Sequence, residues 1–221
     1  MTIEETIFNR YLIEENKLLE YGFNSDYVYT VDILDNSFRV IITYIDKNIT
    51  GKIIDLSFDE EYTNFRIERS GEFNLKIRSE YERILLDIRD KTCTKRTYIY
   101  DQANRINEFI YKKYSVSPDF PFKSSPYHGV YRNKDNKWFG ILMDIPFNKI
   151  DKNKSGLIEV INVKINPNDK DNLLKIEGIY EAYHMNKKSW TSIILDDTLS
   201  DDLISELIDN SYKLVSKHVT M

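Results

Sequence analysis

Two short basic stretches, each running into a tryptophan, carry the pattern in this sequence that could do chemistry. The first holds Arg132, Lys134 and Lys137 ahead of Trp138-Phe139. The second holds His184, Asn186, Lys187 and Lys188 ahead of Trp190. Lysines and arginines contact phosphates, and aromatic rings stack on bases, so this combination suits a nucleic-acid surface. Asn186 or His184 could reach a base edge. The plainer reading is of ordinary solvated loops whose aromatic neighbours face the core, and composition alone favours it.

Other chemistries find little support. His128, His184 and His218 are far apart and follow no metal-ligand spacing. Cys93 is the single cysteine, which excludes an intrachain disulfide and argues against a cysteine-based zinc site. A Cys–His nucleophile pair would need Cys93 beside one of the histidines, and a small apolar role suits it better. There is no nucleophile elbow, P-loop or dinucleotide fingerprint. Asp196-Asp197 and Asp201-Asp202 flank a helix start, where acids favour the helix dipole. No catalytic residue, metal or cofactor is expected, and the chain is read as a non-enzyme.

The formal net charge is -5 over 221 residues, unlike a strongly basic nucleic-acid domain. The acidic excess lies in the first 100 residues, with 14 Lys/Arg against 19 Asp/Glu, while the remainder is roughly balanced. The acidic N-terminus lacks the basic start and apolar run of a signal peptide, and no stretch is long enough to span a bilayer, so a cytoplasmic location is expected.

The elements that would position the basic stretches are legible. Thr2 and Glu5 fit a capping box, apolar residues from Ile7 to Leu19 recur at helical spacing, and Gly22 is placed to stop that helix. Strands are expected over Tyr27–Leu34, Phe38–Ile45 and Lys52–Leu56, with turns at Asp35-Asn36-Ser37 and from Lys47-Asn48 to Gly51. Glu72 to Asp90 carries a helical apolar stripe. Residues 91–99 lack a period, and the domain boundary is placed there. A helix from about Gln102 to Tyr114 follows, then an irregular segment containing Pro118 and Pro121. Gly129–Arg132 and Lys137–Ile145 read as a hairpin, Leu157–Ile165 as a strand, the region around Leu173-Leu174 as a short helix, Ser192–Leu195 as a strand, and the stretch capped by Ser200 as a last helix.

Four segments, in order, resemble the MmcQ/YjbR family: Lys137-Trp138-Phe139-Gly140-Ile141-Leu142-Met143, Ile161-Asn162-Val163-Lys164, Tyr183-His184-Met185-Asn186-Lys187-Lys188-Ser189-Trp190, and Ser211-Tyr212-Lys213-Leu214-Val215. The resemblance covers roughly Asp101 to Val215. Many members carry histidine where this chain has Ser189. Residues 1–95 resemble the extra N-terminal domain of longer members, and 96–221 form the MmcQ/YjbR-like domain. The resemblance implies an α+β fold of two small domains, each an antiparallel sheet packed by helices, the second CyaY-like or secretion-chaperone-like. It further implies DNA binding through two strand-connecting loops. Mapped here, those are the Arg132–Lys137 and His184–Lys188 stretches, gripping double-stranded DNA weakly and with salt sensitivity. A protein-interaction or chaperone-like module with a protein partner is the alternative. No membrane partner is expected.

Overall fold

The computed structural model describes residues 1–67 and 71–216; His218 lies outside them. The chain divides into two compact units, Met1–Arg96 and Thr97–Met221.

In the first unit, α1 (Ile3–Phe8) opens with the expected capping box between Thr2 and Glu5. The apolar periodicity that follows does not continue one helix. Instead β1 (Tyr11–Ile13) interrupts it before α2 (Glu15–Tyr21), which Gly22 ends at φ 123°. The cause is long-range: β1 pairs with β6 (Cys93–Lys95), Tyr11 facing Lys95, so backbone bonding from the far end of the unit overrides local spacing. Between them lie β2 (Val28–Ile33), β3 (Phe38–Ile45), β4 (Asn48–Asp55) and β5 (Glu60–Glu61), an antiparallel sheet in that order. The second turn falls at Asp46-Lys47, both at positive φ, the conformation a two-residue hairpin needs. Gly51 therefore sits inside β4 rather than in a turn. Its role there is close approach, since a Cβ would lie 2.1 Å from the Tyr81 hydroxyl.

The long helix α3 (Glu72–Thr92) packs Ile77, Tyr81, Ile84, Leu85 and Ile88 onto this sheet. At its centre Glu4 is buried. Its carboxylate takes hydrogen bonds from Arg66 at 3.1 and 3.3 Å and from the Tyr81 hydroxyl. Burial pushes the Glu4 pKa up, but these hydrogen bonds and the guanidinium charge outweigh it and hold it below the usual range. A carboxyl depressed in the folded state contributes stability above its unfolded pKa, and that contribution disappears as pH falls through the folded value. Acid unfolding of this unit, followed by circular dichroism, should therefore steepen below about pH 4. Glu4→Gln should lower stability at pH 7 and flatten the acid limb.

The second unit is built on one sheet. In chain order it has α4 (Asp101–Tyr114), β7 (Gly129–Arg132), β8 (Trp138–Pro146), β9 (Leu157–Lys164), α5 (Lys170–Leu173), β10 (Ile179–Glu181), β11 (Trp190–Ile194) and α6 (Asp201–Ser216). The sheet order is β10-β11-β9-β8-β7, antiparallel throughout. β10 is a strand that periodicity does not reveal, because three residues are too few to show alternation. One sheet face packs on the two long helices, with Tyr131, Phe139, Leu142, Ile161, Val163 and Ile193 meeting Ile106, Ile110, Ile204 and Ile208. The opposite face carries Val130, Ile141, Met143, Ile145, Ile158 and Val160, partly covered by Phe122, Phe147 and Ile150 from connecting segments. The α+β class, with helices on one side of an antiparallel sheet, is as expected. Among the described residues no helix is long and apolar enough to cross a membrane.

Candidate nucleic-acid interface

Strand direction decides where the two basic stretches go. Because every neighbour in the sheet is antiparallel, the β7–β8 turn and the β10–β11 loop leave the same end of it. Their midlines are three strand spacings apart, roughly 14 Å at ~4.8 Å per strand.

A buried asparagine anchors each loop. Asn133 Oδ1 accepts the backbone N–H groups of Asp135 and Lys137 at 3.0 Å, while its amide reaches the last carbonyls of α6 at Val215, 3.5 Å away. On β9, Asn162 donates to the Tyr183 carbonyl at 2.8 Å and accepts from Ser192 Oγ, which in turn accepts the Tyr183 N–H. Both asparagines are nearly solvent-free. Buried polar groups satisfied in this way fix a loop's exit direction, since breaking one bond strands its partner.

The basic side chains are not equivalent. Lys187 Nζ lies 2.7 Å from Glu181, which also holds Lys170 at 3.0 Å. Hydrogen bonds from Lys187 and Lys170 keep the Glu181 carboxyl below its usual range. Arg132 pairs with Asp119 at 2.7 Å and lies over the Trp138 ring, 5.0 Å from its centroid. Lys134, Lys137 and Lys188 are exposed and have no acidic partner among the described residues. Asn186 spends its side-chain oxygen on the Lys188 N–H at 2.9 Å, turning the loop. His184 takes φ 55°, and its ring lies 4.0 Å from that of Tyr183.

Sequence reasoning passed over Lys164. It ends β9 between the two loops, and strand alternation puts it on the same face as Val160 and Asn162. It too lacks an acidic partner among the described residues. Only its place in the strand order marks it out.

A β-bulge aims the aromatic group. Arg132 faces Trp138 but Tyr131 faces Gly140, so Phe139 is an extra residue in β8. Phe139 consequently enters the helix-side core while Trp138 turns to the open face. There Trp138 and Phe122 stand edge to face, with centroids 6.1 Å apart. They border a cavity of about 610 Å³ that runs along β8 and is closed on another side by Tyr183, His184 and Met185. His128 also lines it, with Nε2 3.2 Å from the Asp144 carbonyl and 3.6 Å from its carboxylate. Nothing in sequence spacing joins His128 to Asp144; the β7–β8 pairing does. No group of three or more potential metal-ligating side chains occurs among the described residues.

An antiparallel sheet with helices on one face, loops at one end and anchored by buried asparagines, defines a class of small α+β domain. The comparisons identify it. The sequence model of the YjbR family matches residues 111–214. The chain is 34% identical over 110 residues to the uncharacterized protein YyaQ of Bacillus subtilis (strain 168), a match covering 49% of this chain and 93% of YyaQ. A Pseudomonas syringae protein solved by NMR in solution shares 36% identity with a TM-score of 0.50, covering 54% of this chain and 97% of that one. A crystal structure of a protein from the same organism shares 39% identity with a TM-score of 0.49, covering 50% of this chain and 95% of that one. The chain belongs to the YjbR (MmcQ/YjbR) family, and the matches span about half of it.

Proposed function

We propose that the second unit binds the phosphate backbone of double-stranded DNA with the β7–β8 and β10–β11 loops, and that it is a binding module with no catalytic step of its own. The supporting observation is the antiparallel strand order, which brings both loops to one end of the sheet, with Lys134, Lys137 and Lys188 exposed and without an acidic partner among the described residues. A separation of roughly 14 Å is comparable with the ~12 Å width of the major groove, so the loops are spaced to flank a groove rather than share one phosphate. The net charge of -5 does not oppose this, because counterion release depends on the phosphates actually contacted.

Three contacts predict a log–log salt slope of about -2.7, and Lys164 would steepen it. Affinity for a labelled duplex should then fall about 40-fold between 50 and 200 mM salt in fluorescence anisotropy. A slope near zero, or no binding at low salt, would remove the proposal.

The Glu181 pair gives a second, opposite-signed expectation. Glu181→Gln removes the carboxylate that holds Lys187 and Lys170. The freed Lys187 should tighten duplex binding several-fold and steepen the salt slope by about one unit. Lys187→Ala in the native background should change either quantity little.

A further inference from the structure

The cavity on the open sheet face has aromatic walls that are only partly buried against the sheet, and a phosphate grip does not require them. Trp138 is placed there by a bulge, at the cost of a regular ladder. Phe122 and Tyr183 add two more rings from separate connecting segments, over a floor of Ile141 and Met143. Its volume, about 610 Å³, lies within the ~300–1,000 Å³ usual for small-molecule sites, and a largely apolar pocket with a few polar groups is their usual form. Those polar groups include His128, Asp144 and His184, with Ser124 and Ser125 beside them. Histidine nitrogens and a carboxylate provide both donors and acceptors, as the edge of a heteroaromatic ring requires.

Its position narrows the occupant further. Trp138 directly follows Lys137, and Tyr183 and His184 lie in the same loop as Lys188. Two walls of the cavity are therefore the feet of lysine-bearing loops, and the segment before β7, with Phe122 and His128, supplies another. A planar ring seated among Trp138, Phe122 and Tyr183 would have its attached sugar-phosphate leaving toward that end of the sheet. We infer that the cavity receives an unstacked nucleobase, from a single strand or an unpaired position, whose flanking phosphates lie on the two loops. This rests on the phosphate-binding reading above and specifies what that surface holds besides phosphate.

The test uses the full chain and three fluorescein-labelled DNA probes of equal length at low salt: a mixed-sequence single strand, the same strand made wholly abasic, and a duplex. Abasic and normal strands carry the same phosphate charge, so a difference between them reports the bases alone. The single strand should bind roughly tenfold tighter than the abasic strand, within the range that base–aromatic stacking provides. Trp138→Ala should bring it down to the abasic level. Phe122→Ala, on an exposed connecting segment, should do the same in part and serves as the check if Trp138→Ala unfolds. Equal binding of normal and abasic strands would overturn the inference while leaving the phosphate reading intact. A base preference that survives both substitutions would overturn it too, by placing stacking elsewhere. Failure of all three probes to bind would remove both.

Discussion

Reversing the three exposed loop lysines, in Lys134→Glu/Lys137→Glu/Lys188→Glu, should lower duplex affinity by about a thousandfold at 50 mM salt. The size follows from counterion release. With three phosphates contacted, the electrostatic part of the affinity grows with dilution of salt to the power ~2.7, so the 20-fold step from 1 M to 50 mM is worth about 3 × 10³. The variant retains Lys164 at most, so its salt slope should fall to about -1 or less. The fold should be untouched. All three side chains are exposed and make no ion pair among the described residues, and the loop anchors belong to Asn133, Asn162 and Ser192. Reversing Lys187 alone should do far less, because Glu181 already engages it in an ion pair. Anisotropy titrations at several salt concentrations, with thermal unfolding as a folding control, read all of this. An unchanged slope in the triple variant would show that the loops are not the contact.

The largest expected effect on stability lies at Glu159. This side chain is solvent-free on β9, and its two oxygens accept the backbone N–H groups of Ile99 and Tyr100, at 2.9 and 2.8 Å, where α4 begins. Those donors lie ahead of the helix's own hydrogen-bond ladder, and an acidic group there also favours the helix dipole. Glu159→Ala would take this acceptor from both and leave a void between helix and sheet. With about 1–3 kcal/mol for each unsatisfied donor, a loss of about 3–5 kcal/mol is expected. That corresponds to a drop of more than about 10 °C in the melting temperature of the second unit. Glu159→Gln should cost less but not nothing, because its amide keeps one acceptor and turns an N–H₂ toward the other donor. Chemical denaturation of the three proteins would rank them. An alanine variant as stable as the native chain would mean that the N–H groups find water instead.

The positions of the long helices α3, α4 and α6 and of strands β3, β7, β8 and β9 could be read from the sequence to within a residue or two. Apolar periodicity and turn residues are local, and these elements are long enough to display them. The same holds for the capping box at Thr2 and Glu5 and for the helix stop at Gly22, which depend on a few neighbouring backbone groups. The two basic stretches were visible as basic hairpin loops for the same reason.

What the sequence alone left open is non-local. The break between α1 and α2 comes from pairing with residues at least eighty positions away. Gly51 reads as a turn residue until Tyr81 approaches it. Arg132 and Lys187 read as free cations until Asp119 and Glu181 are beside them, and Lys164 drew no notice until strand order set it between the loops. The bulge that sends Trp138 outward and Phe139 inward is one extra residue in a register that only the paired strand defines. Local sequence thus determined which segments are helix, strand and basic loop. The tertiary structure decided which loops share an end, which charges are already paired, and which aromatic rings face a cavity, because each of these depends on a partner supplied by a distant part of the chain.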